Sequence, residues 1–123
     1  MANRIRDSKF TIDGVETKLD VNCDPNHLHG GLKGFSHRYW ASKQVENGVE
    51  FSLTSEDGDQ KYPGAIDVTV RYTFTLNDEG DGGLKIEMGA SLAEGETKST
   101  PISLCNHSYF NLAGHDAAEG ILQ

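Results

Sequence analysis

The clearest signal in the chain is a strict alternation of apolar and polar residues between positions 65 and 92. In the segment AIDVTVRYTFTLND every second residue is apolar or aromatic, with Asp, Thr and Arg between. After the glycine-rich stretch NDEGDGG, the segment LKIEMGASLA repeats the alternation. A period of two residues is typical of a β-strand with one buried face. The pattern predicts two adjacent antiparallel strands over residues 65–76 and 84–92.

Two earlier segments have the pattern of β-hairpins. KFTIDGVETKLDV has two short extended runs around Asp13-Gly14, and HRYWASKQVENGVEFSLTSEDG has another pair around Asn47-Gly48. Both dipeptides suit the positive φ angles of tight turns. Between the hairpins, NCDPNHLHGGLKGF has neither period and predicts a long irregular loop, a kind of segment that is often functional. Because no helical period appears, we expect an all-β fold: one domain over residues 1–123, a meander of antiparallel strands forming a sheet or sandwich.

The segment TPISLCNHSYFNLAGH, residues 100–115, places polar residues inside an apolar run. If it is an extended strand, its two faces differ sharply. One carries Ile102, Leu104, Phe110 and Leu112 and is expected to join the core. The other carries Cys105, His107, Tyr109 and Asn111. A polar but uncharged face suggests a lined cavity, although the residues alone leave a buried structural histidine as an alternative for His107.

Composition excludes several classes of function. With 19 acidic and 11 basic side chains the formal net charge is −8, which repels nucleic acid and anionic lipid surfaces. No run of about 18 apolar residues and no apolar leader is present, so neither a membrane span nor a signal peptide is expected. Cys23 and Cys105 lack a CxxC spacing, which favours reduced thiols and a cytoplasmic location.

Other motifs in the chain do not have the spacing of a metal site, a nucleophile pair or a nucleotide-binding loop. The spacing of His27 and His29 can offer two imidazoles to one metal, but no carboxylate or thiolate stands at a tell-tale spacing nearby, so we expect hydrogen bonding and no metal site. Ser108 and His107 are strand neighbours that point to opposite faces, and no G-x-S-x-G motif is present. HGGLKG lacks the spacing of nucleotide-binding loops and predicts a turn with positive φ at Gly30 and Gly31.

Four motifs together resemble the aldose 1-epimerase, or galactose mutarotase, family. They are ANRI at 2–5, LHGGLKGF at 28–35, YPG at 62–64 and NHSYFNLAG at 106–114, in matching order and spacing over essentially the whole chain. The resemblance implies a large antiparallel β-sandwich that interconverts the α and β anomers of free hexoses such as galactose and glucose without a cofactor. Mapped by motif, Asn3 and Arg4 resemble sugar-hydroxyl contacts. His29 resembles the histidine near the ring oxygen, and His107 the general acid.

The resemblance also implies what is missing. The family's catalytic glutamate and a sugar-binding aspartate lie farther along a considerably longer chain, and this sequence stops at Gln123. We therefore expect an N-terminal portion of such a protein, inactive alone, which self-associates through exposed strand edges. Two alternatives remain open: a non-catalytic carbohydrate-binding module, and a hexose-6-phosphate 1-epimerase. Extra basic residues facing the cleft would favour the phosphate version.

Overall fold

The computed structural model describes residues 1–111 and 114–115, and within them every strand pairing is antiparallel. The strands are β1 Arg4–Ile5, β2 Lys9–Ile12, β3 Val15–Lys18, β4 His27–Leu28, β5 Ala41–Val45, β6 Gly48–Ser55, β7 Ile66–Leu76 and β8 Gly82–Leu92. Single 3₁₀ turns occur at Arg6–Ser8, Phe35–His37 and Asp59–Lys61. The expectation of an all-β antiparallel fold is confirmed.

The largest unit is a four-stranded sheet in the order β5-β6-β7-β8. The two alternating segments form β7 and β8, whose register runs from Ile66 opposite Leu92 to Leu76 opposite Gly82. This confirms the predicted pair of adjacent strands. Their apolar face is covered at one end only, since Val68 is fully buried whereas Phe74 is 56% exposed. The compact core therefore lies towards the start of β7.

Both predicted hairpins are present. In the first, Ile12 pairs with Val15, so the loop is Asp13-Gly14 with φ values of 50° and 77°. These positive angles at both loop residues are those of the tight hairpin turn that the sequence predicted.

The second hairpin differs from its prediction by one residue. Val45 pairs with Gly48, so the two-residue loop is Glu46-Asn47 and Gly48 already belongs to β6. A Cβ atom on Gly48 would lie 2.0 Å from the carbonyl oxygen of Tyr72. The glycine is therefore required by the close approach of β6 to β7, a contact that the local turn pattern does not reveal.

The segment predicted as a long irregular loop contains one short strand. β4 pairs with β1, with Arg4 opposite Leu28 and Ile5 opposite His27. On the other edge of β4, the side chain of Asn22 accepts from the Leu28 N–H at 2.6 Å and donates to the Leu28 carbonyl at 2.9 Å. A strand of two residues is too short to show a period, so the sequence pattern missed it.

The predicted strand over residues 100–115 is wrong where the structure describes it. Residues 100–111 belong to no strand, and Ile102 and Phe110 are 45% and 58% exposed, not part of the core. Leu112 lies outside the described residues. The physical reason is that alternation makes a strand only beside a pairing edge, and among residues 1–111 the segment has one such backbone contact, from Ala2 N–H to Ser103 O at 2.7 Å. None of the helices in the described part has the length and apolar character to cross a membrane.

Candidate functional site

The backbone of β1 and the end of β4 hold Asn3 and His29 together. The His29 N–H donates to the Asn3 carbonyl at 3.0 Å, and the Asn3 N–H donates to Nδ1 of the His29 ring at 3.2 Å. Both residues have left-handed backbones, with φ of 59° and 48°. Such conformations are uncommon for residues other than glycine and persist where surrounding contacts impose them. Because Nδ1 accepts a hydrogen bond, the neutral His29 ring carries its proton on Nε2 and can offer it to a ligand.

The glycine loop after His29 is tightly packed. Gly30 and Gly31 have φ of 77° and 101°, which confirms the predicted turn. A Cβ on Gly34 would lie 2.4 Å from the His29 carbonyl oxygen, and one on Gly31 would lie 2.7 Å from Oε1 of Gln60. That same Oε1 accepts the Lys33 N–H at 2.9 Å. The loop is thus fixed from the side of Gln60, and the His29 backbone leaves no room for a side chain at Gly34.

His107 reaches the same region from the far end of the chain. Its ring centroid lies 5.3 Å from that of His29, at an interplanar angle of 75°, and 5.3 Å from that of Tyr109. The neighbouring Asn106 donates from its side-chain amide to the Tyr72 hydroxyl at 2.9 Å, which ties the segment to the sheet. Two histidines distant in sequence therefore stand edge to face at one site.

Two adjoining cavities surround this pair. The first, of about 410 Å³, is lined by His29 and His107 together with Cys105 and the 35–37 turn. The second, of about 610 Å³, shares His107 and Cys105 and extends along aromatic side chains. These aromatic residues are Phe35, Tyr39, Trp40, Phe51 and Tyr72. Among the described residues, no carboxylate lines either cavity.

The other two candidate residues lie beside the cavities without lining them. Asn3 and Arg4 are exposed. The Asn3 side-chain oxygen accepts from the Arg4 backbone N–H at 2.9 Å and from its guanidinium at 3.3 Å. The structure therefore brings His29 and His107 into one cavity, links Asn3 to His29 through the backbone, and places Arg4 next to Asn3.

His27 is turned away from His29. Its ring is fully buried, Nδ1 lies 2.7 Å from the Asp20 carbonyl oxygen, and the ring packs edge-on against Tyr62 at 5.6 Å. Burial raises the pKa of the Tyr62 hydroxyl to about 12. No group of three or more His, Cys, Asp or Glu side chains suited to a metal ion occurs in the described part of the chain. His27 and Tyr62 pack against each other next to the glycine loop.

Sequence reasoning missed the residues that hold the site in place. Asn22 binds the backbone of β4, Gln60 binds the glycine loop, and Tyr72 binds Asn106. The contacts of Gln60 and Tyr72 join segments 27 and 34 residues apart, whereas Asn22 binds Leu28 only six residues away. No periodicity or motif signals such contacts, although Tyr72 belongs to the alternating pattern that placed it on the apolar face.

Comparisons with known proteins agree on one family. The family described as Aldose 1-epimerase matches residues 1–123. The chain is 47% identical over 114 residues to galactose mutarotase of Bos taurus, covering 93% of this chain and 31% of that protein. It is 43% identical over 127 residues to aldose 1-epimerase of Haemophilus influenzae, covering 99% and 35%. The chain belongs to the aldose 1-epimerase family.

A solved structure supports the same assignment. The GalM/aldose epimerase homologue from C. elegans superposes with a TM-score of 0.64 at 33% identity, over 75% of this chain and 27% of that one. The chain spans about a third of the length of the curated relatives it matches, for example 31% of the bovine protein and 32% of galactose mutarotase of Rattus norvegicus.

Proposed function

We propose that this chain is part of a cytoplasmic aldose 1-epimerase that interconverts the α and β anomers of free hexoses such as galactose and glucose. The observation that carries the proposal is the meeting of His29 and His107, edge to face at 5.3 Å, on one cavity of about 410 Å³. A cavity of this size suits a small polar ligand such as a hexose ring. The family membership of the chain supplies the reaction class.

His107 has the proposed role of general acid. Anomer exchange requires a base that takes the proton of the anomeric hydroxyl and an acid that protonates the ring oxygen; the freed aldehyde then rotates and the ring closes to either anomer. An imidazole suits the acid, because its ordinary pKa near 6.5 lets it give and regain a proton near neutral pH. His107 is exposed and lines the cavity, so a ligand there can contact its ring.

His29, Asn3 and Arg4 have the proposed role of binding the sugar. The His29 Nε2–H can donate to an oxygen of the sugar, since Nδ1 already accepts the Asn3 backbone N–H. Arg4 stays charged and can donate to hydroxyls through its planar guanidinium. The Asn3 side chain already orders Arg4, so the two residues would meet a sugar as a pair.

The catalytic base is proposed to come from outside the residues that the structure describes. Neither cavity has a carboxylate among its described lining residues that could serve as the base for the anomeric proton. Residues 1–123 alone are therefore expected to bind hexose weakly and to leave the spontaneous rate of mutarotation unchanged.

Of the two alternative functions, the phosphate-specific epimerase receives no support from the described cavities. Arg38, which lines the second cavity, donates from one guanidinium nitrogen to both oxygens of Asp59, at 3.2 and 3.0 Å. The Asp59 carboxylate offsets the charge of Arg38, which disfavours a phosphate beside it. A non-catalytic sugar-binding module shares the same contacts with the enzyme portion and differs only in lacking a base.

The test separates binding from catalysis. Hexose is titrated into isotope-labelled residues 1–123, and the ring proton signals of His29 and His107 should shift, while His115, which lines neither cavity, should not. In a family-length chain that supplies the base, His107→Asn should lower turnover by about 10²- to 10⁴-fold in polarimetry, and the matched His115→Asn should not. Failure of the sugar to shift either ring would refute the proposed site. Catalysis by residues 1–123 that His107→Asn abolishes would show that the base lies within this chain.

A further inference from the structure

We propose that β8 is a self-complementary edge through which two copies of this chain join their sheets about a two-fold axis. Within residues 1–111, β8 pairs on one side only, with β7, and it is eleven residues long. Open edges of this length are ready to pair with another strand. Of the residues at this edge, Met88 also lines the second cavity, and none is a proposed sugar contact.

The sequence of β8 reads almost the same in both directions. From Gly83 to Gly89 it is Gly-Leu-Lys-Ile-Glu-Met-Gly, with Ile86 at the centre. Moving outward from Ile86, the two sides carry first opposite charges, then apolar residues and then glycines. If two antiparallel copies meet at Ile86, glycine faces glycine and Leu84 faces Met88 of the second copy. Lys85 then faces Glu87 of the second copy, and the reverse pair forms by symmetry. Opposite charges and matching apolar residues directly across an antiparallel pair are stabilising.

The backbone of β8 has its free groups at the positions this pairing needs. Asn77 N–H donates to Asp81 O at 3.1 Å, and Ala93 N–H donates to Ala65 O at 3.0 Å. These bonds flank the β7–β8 ladder in the same register and both involve odd-numbered residues. Hydrogen-bonded pairs alternate along an antiparallel ladder, so the odd residues of β8 bond to β7 and the even residues point to the open edge. Ile86, at the centre of the proposed pairing, is even.

A row of alternating charges on the polar face ends at the same edge. Lys43 on β5 is opposite Glu50, Glu50 is opposite Arg71, and Arg71 is opposite Glu87. Arg71 Nε donates to Glu50 at 3.0 Å, so the middle of the row is a formed ion pair. Glu87 contacts Lys85 of its own strand at 2.9 Å, and in the proposed dimer Lys85 of the second copy lies directly opposite it and continues the series.

The apolar face gives the second favourable term. Leu84 and Met88 are 52% and 40% exposed at the open edge. An axis perpendicular to the sheet keeps the apolar faces of both copies on the same side, so Leu84 of each chain lies beside Met88 of the other. The product is a continuous eight-stranded antiparallel sheet, with isologous contacts as in most dimers.

Charge reversal tests the pairing directly by sedimentation equilibrium of residues 1–123 without sugar. Lys85→Glu and Glu87→Lys should each raise the dimer dissociation constant about tenfold, since both cross-strand pairs become repulsive. An equimolar mixture of the two variants should recover association, because each strand then meets its opposite charges. Lys43→Glu is the matched control: it makes the same change of charge on the far edge strand and should leave the constant unchanged.

Amide hydrogen exchange gives an independent readout. Protection of the even-numbered amides of Leu84, Ile86 and Met88 should rise with protein concentration, whereas Lys85 and Glu87, bonded to β7, should be protected at every concentration. A chain that stays monomeric at the highest attainable concentration overturns the proposal. So does a dimer dissociation constant that neither charge reversal changes, or one that Lys43→Glu raises as much as they do. Loss of sugar binding with intact dimerisation would count against the proposed function alone.

Discussion

The packing of the glycine loop makes Gly34→Ala a severe change at a position with no backbone strain. Gly34 has φ of −59° and ψ of 175°, which alanine adopts readily, so the cost is purely steric. The added Cβ would lie 2.4 Å from the His29 carbonyl oxygen, whereas ordinary contact begins at 3.4 Å. One backbone must therefore move by about 1 Å, and overpacking of this kind costs about 1–3 kcal/mol. For a chain of 123 residues each kcal/mol lowers Tm by about 4 °C.

The assay is urea unfolding followed by the fluorescence of Trp40, the single tryptophan of the chain. Its indole N–H donates to the carbonyl of Phe35 at 3.1 Å, directly after Gly34, so it reports on the loop. Gly89→Ala is the matched control, because a Cβ there would meet only the side-chain oxygen of Thr69, at 3.3 Å. Equal unfolding midpoints for the two variants would refute the steric argument. Displacement of His29 should also weaken hexose binding by the Gly34 variant alone.

Three further variants test individual contacts of the fold. Glu96 accepts three backbone N–H bonds, which lower its pKa, so its contribution to stability is present above the unfolded pKa and is lost as pH falls through the lower folded value. Glu96→Gln should therefore reduce the fall of the urea unfolding midpoint on acidification. A fall equal to that of the parent chain would contradict this. Burial raises the pKa of Tyr62 from 10.0 to about 12, so the free energy of unfolding should decline as pH rises between these values. Tyr62→Phe should remove that decline. It should leave stability at pH 7 within about 1 kcal/mol of the parent chain, since the buried hydroxyl has no described partner. Asn22→Asp removes the donor to the Leu28 carbonyl and should cost about 1–3 kcal/mol in thermal or urea unfolding, whereas an unaltered Tm would show that this contact is dispensable.

The sheet could be predicted from the sequence because its signal is local. β7 and β8 follow a period of two over eleven residues each, and the Asp13-Gly14 turn carries its own geometry in its residue types. The segment 100–111 has a weaker alternation, with Asn106 and Ser108 on its apolar face, and forms no strand among the described residues. The difference lies in the pairing edge available to each segment, which alternation along one stretch does not encode.

The site was predictable only where a motif covered it. The meeting of His29 and His107 followed from a family resemblance, since no spacing relates two histidines so far apart in sequence. Gln60, which holds the glycine loop, adopts an uncommon left-handed backbone with φ of 49° and belongs to no motif. Its role depends on a contact across the fold, and local propensity carries no information about that contact.

The paired hydrogen bonds of Asn22 to Leu28 have a consequence for how this region tolerates change. A side-chain amide is chemically a peptide group, so one residue reproduces the two bonds that a neighbouring strand would make. The β1–β4 ribbon is in effect three-stranded, with its third strand reduced to a single side chain. Continuous backbone is not needed on that edge, so the register of the pairing that carries His29 depends there on one side chain.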